Sequence, residues 1–455
     1  MSCMKPLSER MSDIDSYYDL ILRDQEPFLD EAFTKLFLEW SDVPRIQIRS
    51  EESTNDKMKK STNSGSPFFT KRKSVQKKTI PCKVGENGMY VEQQLPQGKY
   101  SACAILGWRG QEGGRNKEDV KQRVVWMFPY AVNLQELRIY QPLIETFQSL
   151  NLVPAWVSMD AVDERVTRLF DTKSDSDLII CTDFSKFDQH FNKTCQDAAL
   201  TILRKLVAQN APALEWFETV FPIKYMIPLA YDWNETRFGA HGMGSGSGGT
   251  NADETLVHRL LQHEAAIKSG SKLNPNSQCL GDDGILSFPG CTVEDVIKAY
   301  SSHGLDMNQD KQYASTQDCT YLRRWHHDKY RIDGICVGVY STNRALGRLM
   351  EQERYYDPDV WSSKMVALRQ LSIIENCKYH PLREEFVQFC IKGDKYRLGL
   401  DIPGFFDNIE SEAKNAIDLM PDFLGYTKNL QREANPNMDV GIGNWWVVKY
   451  LKSLA

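Results

Sequence analysis

Apolar and polar positions alternate in distinct ways along the chain. Between Tyr18 and Trp40, apolar and acidic positions recur at helical spacing, and the first 55 or so residues read as helices. The run Leu178–Thr182 is short, apolar and ends in Asp183, as expected of a buried strand that delivers an acid at its C-terminal end. A helix is predicted for Lys193 to Val207, with apolar positions at 199, 202, 203, 206 and 207, and another for Ala252 to Lys268. Gln278–Leu280 and Ile285–Phe288 flank Gly281-Asp282-Asp283-Gly284, where Asp-Gly predicts a tight hairpin turn. Val124–Phe128 reads as a strand, Ser64-Gly-Ser-Pro67 as a turn and Gly107–Lys121 as a loop. The middle of the chain, about 175 to 330, therefore has a mixed α/β pattern, and after Gly334 the pattern is mostly helical.

Composition narrows the classes. The 455 residues are 41% hydrophobic, 11% aromatic and 25% charged, enough for sizeable cores and about three domains or subdomains. A disordered chain and a disulfide-stapled scaffold are excluded. No run reaches the roughly 18 apolar residues of a membrane span, no secretory leader is expected, and no membrane role follows. Eleven cysteines without a CxxC pair fit reduced thiols. Net charge is −6, but Lys57 to Lys83 holds nine Lys/Arg and no acid, leaving 46 basic against 61 acidic residues elsewhere. One basic stretch on an acidic body suits either a solvated loop or a channel for a polyanion.

Three segments carry candidate chemistry. Asp183 and Asp188, five apart after a strand, suit a hard cation and a hydroxyl, or a strand end and a helix cap. The glycine-rich Gly242–Asn251 precedes a helix and suits contact with phosphate or backbone; Glu254, three residues after Asn251, also fits a capping box. In the hairpin, adjacent Asp282 and Asp283 repel each other unless a cation neutralises them.

Together these segments resemble the palm of a viral RNA-dependent RNA polymerase. Asp183 and Asp188 match D-x4-D of motif A, Ser245, Gly246 and Thr250 match S-G-x3-T of motif B, and Gly281-Asp282-Asp283 match motif C. Asp183 precedes Ser245 by 62 residues and Asp282 by 99, in unpermuted order. The strings at 183–191, 244–255 and 279–290 are most similar to picobirnavirus polymerases, with the partitivirus group second.

The resemblance implies a right-hand fold of α/β (α+β) class, with an antiparallel palm sheet flanked by helices. The expected division is fingers over 1–174, palm over 175–200, a fingers insertion over 201–240, palm over 241–333, and a helical thumb and tail over 334–455. It implies RNA-directed RNA synthesis for replication and transcription of a double-stranded RNA genome, with two Mg²⁺ ions (Mn²⁺ able to substitute) held by Asp183, Asp282 and Asp283. Lys311, in a segment similar to motif D, is implied as the proton donor. Asp188, Ser245, Gly246, Thr250 and Asn251 are implied at the ribose, and Lys117, Lys121 and Arg123 at the triphosphate, with Arg115 in the same region. Template and primer contacts are implied for Thr62, Ser64, Gly65, Pro67, Lys71, Arg72 and Lys73, and for Arg323 and Arg324 of the motif E-like turn. Glu254 stands where many such polymerases carry an Asn that reads the 2′-hydroxyl, which leaves that contact open.

Partners implied are single- and double-stranded RNA, ribonucleoside triphosphates and a capsid protein. A monomer is expected, in the virion interior and host cytoplasm. A reverse transcriptase-like polymerase and a non-catalytic RNA-binding or capsid protein are the alternatives; the acid at Asp188 and Gly281 before the two acids favour RNA synthesis. The Gly441–Trp446 segment either packs on the thumb or reaches toward the cavity.

Overall fold

The structure, a computed structural model, describes residues 5–85, 90–93, 96, 98–111, 116, 119, 121–352, 356–420 and 441–455. Lys117 and Arg115 lie outside the described residues. The N-terminal pattern resolves into helices Met11–Asp19, Asp30–Glu39 and Glu51–Lys57. The helix Lys193–Leu206 begins where the Asn192 side chain accepts the Cys195 N–H, and buries the apolar stripe expected of it. Among the described residues no helix is long and apolar enough to cross a membrane. The ten described cysteines are free thiols.

The central sheet runs in the order Tyr313–Ser315, Ile179–Thr182, Asp283–Leu286, Gln278–Leu280, antiparallel throughout. Its register sets Gly284 opposite Thr182 and Asp283 opposite Leu280. Asp183, one residue beyond Thr182, is therefore carried to the same sheet end as Asp282 and Asp283. Behind this sheet lies the 19-residue helix Thr250–Lys268, buried on almost every face. A helix enclosed this way must pair its polar side chains internally. Arg259 is bound by Glu39, Glu264 by His303, and Asp253 by Lys224.

Two expectations are corrected here. The expected loop over Gly107–Lys121 is partly sheet: Ala104–Gln111 pairs with Lys121–Met127, Arg109 opposite Arg123. Glycines and charges within this hairpin hide its strand character, because its pairing is non-local to the apolar pattern. The capping box at Asn251 and Glu254 does not form. Gly249 caps the helix without a side-chain bond, the Asn251 Oδ1 accepts the Trp156 Nε1–H at 2.8 Å, and Glu254 turns inward.

A second hydrophobic core begins at Tyr340 and gathers the C-terminal helices, including Val447, Val448 and Leu451. The helix Trp446–Leu454 is fixed at its start by Glu375, which accepts the Trp446 and Val447 N–H groups at 3.0 and 2.9 Å. The tail thus packs on this core.

Candidate active site

One open cavity of about 630 Å³ is lined by Thr182, Asp183, Asp282, Asp283, Arg123 and Arg323, together with Trp325 and Arg344. Asp183 is held by its backbone: the Gln312 side chain accepts the Asp183 N–H and donates to its carbonyl, both at 2.8 Å. Gly281 turns the hairpin with φ +56°, a conformation that favours glycine. Its N–H donates to Thr255 Oγ1 at 2.9 Å, and neutral His258 donates Nδ1–H to its carbonyl at 2.8 Å. Burial keeps His258 uncharged, lowering its pKa to about 4.

The carboxylates crowd one another. Asp283 has its pKa raised to about 7, by burial first and then by Asp282 and Asp183, against a Leu322 N–H donated to Oδ2 at 2.8 Å. Asp282 stays open to the cavity, yet the surrounding walls displace enough solvent to raise its pKa. The Asp188 carboxylate adds to this, and the Arg123 guanidinium opposes it. Three hard oxygen donors with mutual repulsion fit a divalent cation. Among the described residues, however, no set of three ligands is already assembled around one point.

Beside this cluster, Asp188 sits on the short helix Phe187–His190, and its carbonyl accepts the Met243 N–H at 2.8 Å. The glycine-rich loop is thereby tied to it. Glu254 is buried against Asp188; burial and then the Asp188 charge keep its carboxyl protonated, far above the usual range. As a neutral acid it donates to Asp188, so a hydrogen-bond donor stands where the sequence had left the amide missing. The Ser245 hydroxyl and Tyr17 meet at 3.1 Å. Thr250 Oγ1 donates to the Gly244 carbonyl at 3.3 Å, which braces the loop, and Gly246 lies exposed at its crest. A β-carbon at Gly246 would overlap the Trp126 carbonyl oxygen.

The loop is also latched by Glu136, which accepts from the Ser247 hydroxyl and from the Gly248 N–H at 3.1 Å. Burial raises the Glu136 pKa to about 7 against the pull of Lys224. Between pH 4.5 and 7 the folded chain therefore keeps a proton that the unfolded chain releases, and stability falls as pH rises through that window. Glu136→Gln removes this dependence: its melting temperature should rise relative to wild type between pH 5 and pH 7.5. Parallel curves would contradict the assignment.

The remaining sequence-based candidates divide. Lys121 and Arg123 are exposed on their strand, with Arg123 in the cavity wall. Lys311 is exposed on the turn Gln309–Lys311, just before Gln312, and does not line the cavity. Lys71 and Lys73 are exposed, and Thr62 and Pro67 half-buried. Ser64 and Gly65 are buried: Ser64 accepts the Thr70 N–H and the Tyr130 N–H, and a Gly65 β-carbon would lie 2.6 Å from the Phe128 carbonyl oxygen. They build the loop rather than its surface. Arg72 lies over the Tyr130 ring at 5.2 Å, its pKa lowered to about 10 by burial. Arg323 lines the cavity from a two-residue turn in which Leu322 and Arg323 both have positive φ.

Arg324 is a correction. It is buried and bidentate on Asp163 at 2.7 and 2.9 Å, and it does not line the cavity. Trp325, next along the strand, faces the cavity instead, as strand alternation requires. Arg324→Ala leaves Asp163 buried and unpaired, which costs about 3–5 kcal/mol. Urea denaturation should show that loss; a change below about 1 kcal/mol would contradict it.

Signals for several other site residues were absent from the sequence. Gln312, Tyr17, Thr255, His258 and Arg344 reach the site only through tertiary packing, and no motif marks them.

A hairpin of paired acids beside a strand-end acid, under a glycine-rich loop and facing an arginine, defines a template-directed nucleotidyl polymerase palm. The sequence model described as viral RNA-dependent RNA polymerase matches residues 109–388, and the chain belongs to that family. A protein of Human picobirnavirus (strain Human/Thailand/Hy005102/-), named potential RNA-dependent RNA polymerase, is 66% identical over 455 residues, all of this chain and 85% of that protein. The crystal structure of the RNA-dependent RNA polymerase of a human picobirnavirus matches with TM-score 0.92 at 65% identity, covering 99% of this chain and 84% of that one. Its insertion loop deletion mutant matches at 0.91 and 63%, with 99% and 84% covered. The Sicinivirus 3Dpol polymerase, 12% identical with TM-score 0.58 over 93% of this chain and 88% of its own, shares the fold. The chain is an RNA-dependent RNA polymerase of picobirnavirus type, and the family generally uses divalent metal ions.

Proposed function

We propose that this polymerase replicates and transcribes a double-stranded RNA genome, with two Mg²⁺ ions, replaceable by Mn²⁺, held by Asp183, Asp282 and Asp283. The observation that carries the reading is the antiparallel register that brings Asp183 to the same end of the sheet as Asp282 and Asp283, across a cavity from Arg123. When bound, such ions lower the pKa of the attacking 3′-hydroxyl and neutralise charge on the leaving pyrophosphate. The 3′-hydroxyl gives its proton to solvent, its oxygen bonds to the α-phosphorus, and the bond from the α-phosphorus to the bridging oxygen breaks as pyrophosphate leaves. Arg123, with Lys121 and Lys117, holds the triphosphate by charge-assisted hydrogen bonds. Asp188, kept in place by Glu254, and Ser245 meet the ribose, with Gly246, Thr250 and Asn251 shaping the loop around it. Lys311 is the residue assigned to give a proton to the leaving pyrophosphate. Lys71, Lys73 and the surrounding loop, with Arg323, guide template and product, so binding weakens with salt as phosphate contacts release counterions.

A monomer acting inside the virion and in host cytoplasm, in contact with a capsid protein, completes the proposal. The test is RNA synthesis on a single-stranded RNA template without primer, comparing ribo- with deoxyribonucleotides. Ribonucleotide-selective complementary product supports the reading. Product from deoxyribonucleotides at equal rate, or none with or without primer, refutes it.

A further inference from the structure

Tyr17 belongs to the helix Met11–Asp19, about 230 residues before the loop it touches. Its side chain is 2% exposed, and its hydroxyl lies 3.1 Å from Ser245 Oγ. The Trp126 ring meets it edge-on at 5.3 Å, with the indole nitrogen turned toward the same phenol oxygen. That buried indole N–H has no hydrogen-bond partner among the described residues. The backbone reinforces the arrangement: Gly242 N–H donates to the Tyr17 carbonyl at 2.8 Å, and Trp126 N–H to the Ser245 carbonyl at 2.9 Å.

The distance alone leaves the donor of the Tyr17–Ser245 pair open, and the surroundings assign it to Tyr17. Burial, and then the nearby charge of Asp188, keep the phenol protonated. A buried O–H needs an acceptor, and Ser245 Oγ is the one in reach. A serine hydroxyl has one proton and two lone pairs, so accepting from Tyr17 leaves its own proton free to point elsewhere. Ser245 is half-buried; the Asp188 charge reaches the Tyr17 phenol beside it, and the Asp188 carbonyl holds the loop at the Met243 N–H. The Tyr17 phenol thus sets the rotation of the Ser245 hydroxyl.

We infer that Tyr17 is a positioning residue for sugar selection: it orients the Ser245 hydroxyl so that its O–H faces the 2′-oxygen of the incoming nucleotide. The inference rests on the reading above that Ser245 meets the ribose. A merely structural role would loosen the loop for every nucleotide and leave discrimination between sugars unmoved.

The test measures kcat/KM for single incorporation of a ribonucleotide and its 2′-deoxy counterpart by the full chain, comparing wild type, Tyr17→Phe, Ser245→Ala and the double variant. Tyr17→Phe keeps the ring and should lower the ribo-to-deoxy ratio about five- to tenfold, the scale of one hydrogen bond. The change should come mainly from a higher KM for the ribonucleotide. The double variant should discriminate no worse than Ser245→Ala alone. An unchanged ratio in Tyr17→Phe beside a lowered one in Ser245→Ala overturns the inference and leaves the ribose reading intact. An unchanged ratio in Ser245→Ala overturns the ribose role itself. If Tyr17→Phe fails to fold, Trp126→Phe, which removes the indole N–H facing the phenol, should lower the ratio less but in the same direction; no change there also overturns the inference.

Discussion

Asp282→Ala lowers the rate of nucleotide incorporation by at least about three orders of magnitude and leaves the fold as stable as before, or more so. The argument is electrostatic. Asp282 is open to the cavity, and its pKa is raised by the enclosing walls and by the Asp188 carboxylate. Its side chain supports no other element, since the hydrogen bond acting on it comes from its own backbone. Removing it relieves repulsion within the carboxylate cluster while deleting a carboxylate that, in the proposed function, holds a metal ion. RNA binding, which the proposed function assigns to the basic loop and Arg323, should stay within about twofold, because no cationic phosphate contact is lost. The checks are single-turnover incorporation, a thermal melt and a filter-binding curve. Retained synthesis would remove Asp282 from the reaction, and a large drop in melting temperature would make it a structural residue.

A stability effect as large as that at Arg324 is expected at Lys224. Its ammonium group and Asp253 are both fully buried, 3.0 Å apart. Tyr140 and Tyr225 donate to the same carboxylate at 2.7 and 2.6 Å. The ammonium also lies 3.7 Å from the Phe221 ring centre, and burial lowers its pKa against the attraction of Asp253 and Glu136. Lys224→Ala leaves Asp253 charged, buried and short of its cation, which costs about 3–5 kcal/mol. Replacing both partners, as Lys224→Met with Asp253→Leu, should cost less than the single change, because no uncompensated charge remains. The Lys224 carbonyl accepts the Gly244 N–H at 3.0 Å, so activity should fall with stability as the loop loses support. Urea denaturation of the single and double variants decides it; a double variant worse than the single would contradict the account.

What the sequence made legible was local. The strand ending at Asp183, the Asp282–Asp283 hairpin and the helix after Thr250 each follow from contiguous apolar patterns and turn chemistry, and the structure reproduces them, except that the hairpin turns at Gly281-Asp282 and not at the expected Asp283-Gly284, which pair within the strand Asp283–Leu286. Their order along the chain pointed to the family before any coordinates did. What stayed hidden depends on contacts between distant segments. Arg324 reads as one of two adjacent basic residues on a turn, and only pairing with Asp163, 161 residues away, turns it inward. The Ala104–Gln111 strand is masked by Gly107, Gly110 and Arg109, and appears through its register with Lys121–Met127. Glu254 reads as a cap from spacing alone; its role beside Asp188 follows from burial of the whole helix. Tyr17 and Gln312 carry no motif, because a single hydrogen bond across the fold leaves no periodic trace.

The most direct test of the two-ion site is anomalous diffraction from crystals of the chain grown with template, ribonucleoside triphosphate and Mn²⁺. The account predicts two Mn²⁺ peaks, both contacted by carboxylates of the set Asp183, Asp282 and Asp283, with the triphosphate between them and Arg123. A single peak bound by the triphosphate alone, or peaks away from these three residues, would contradict it.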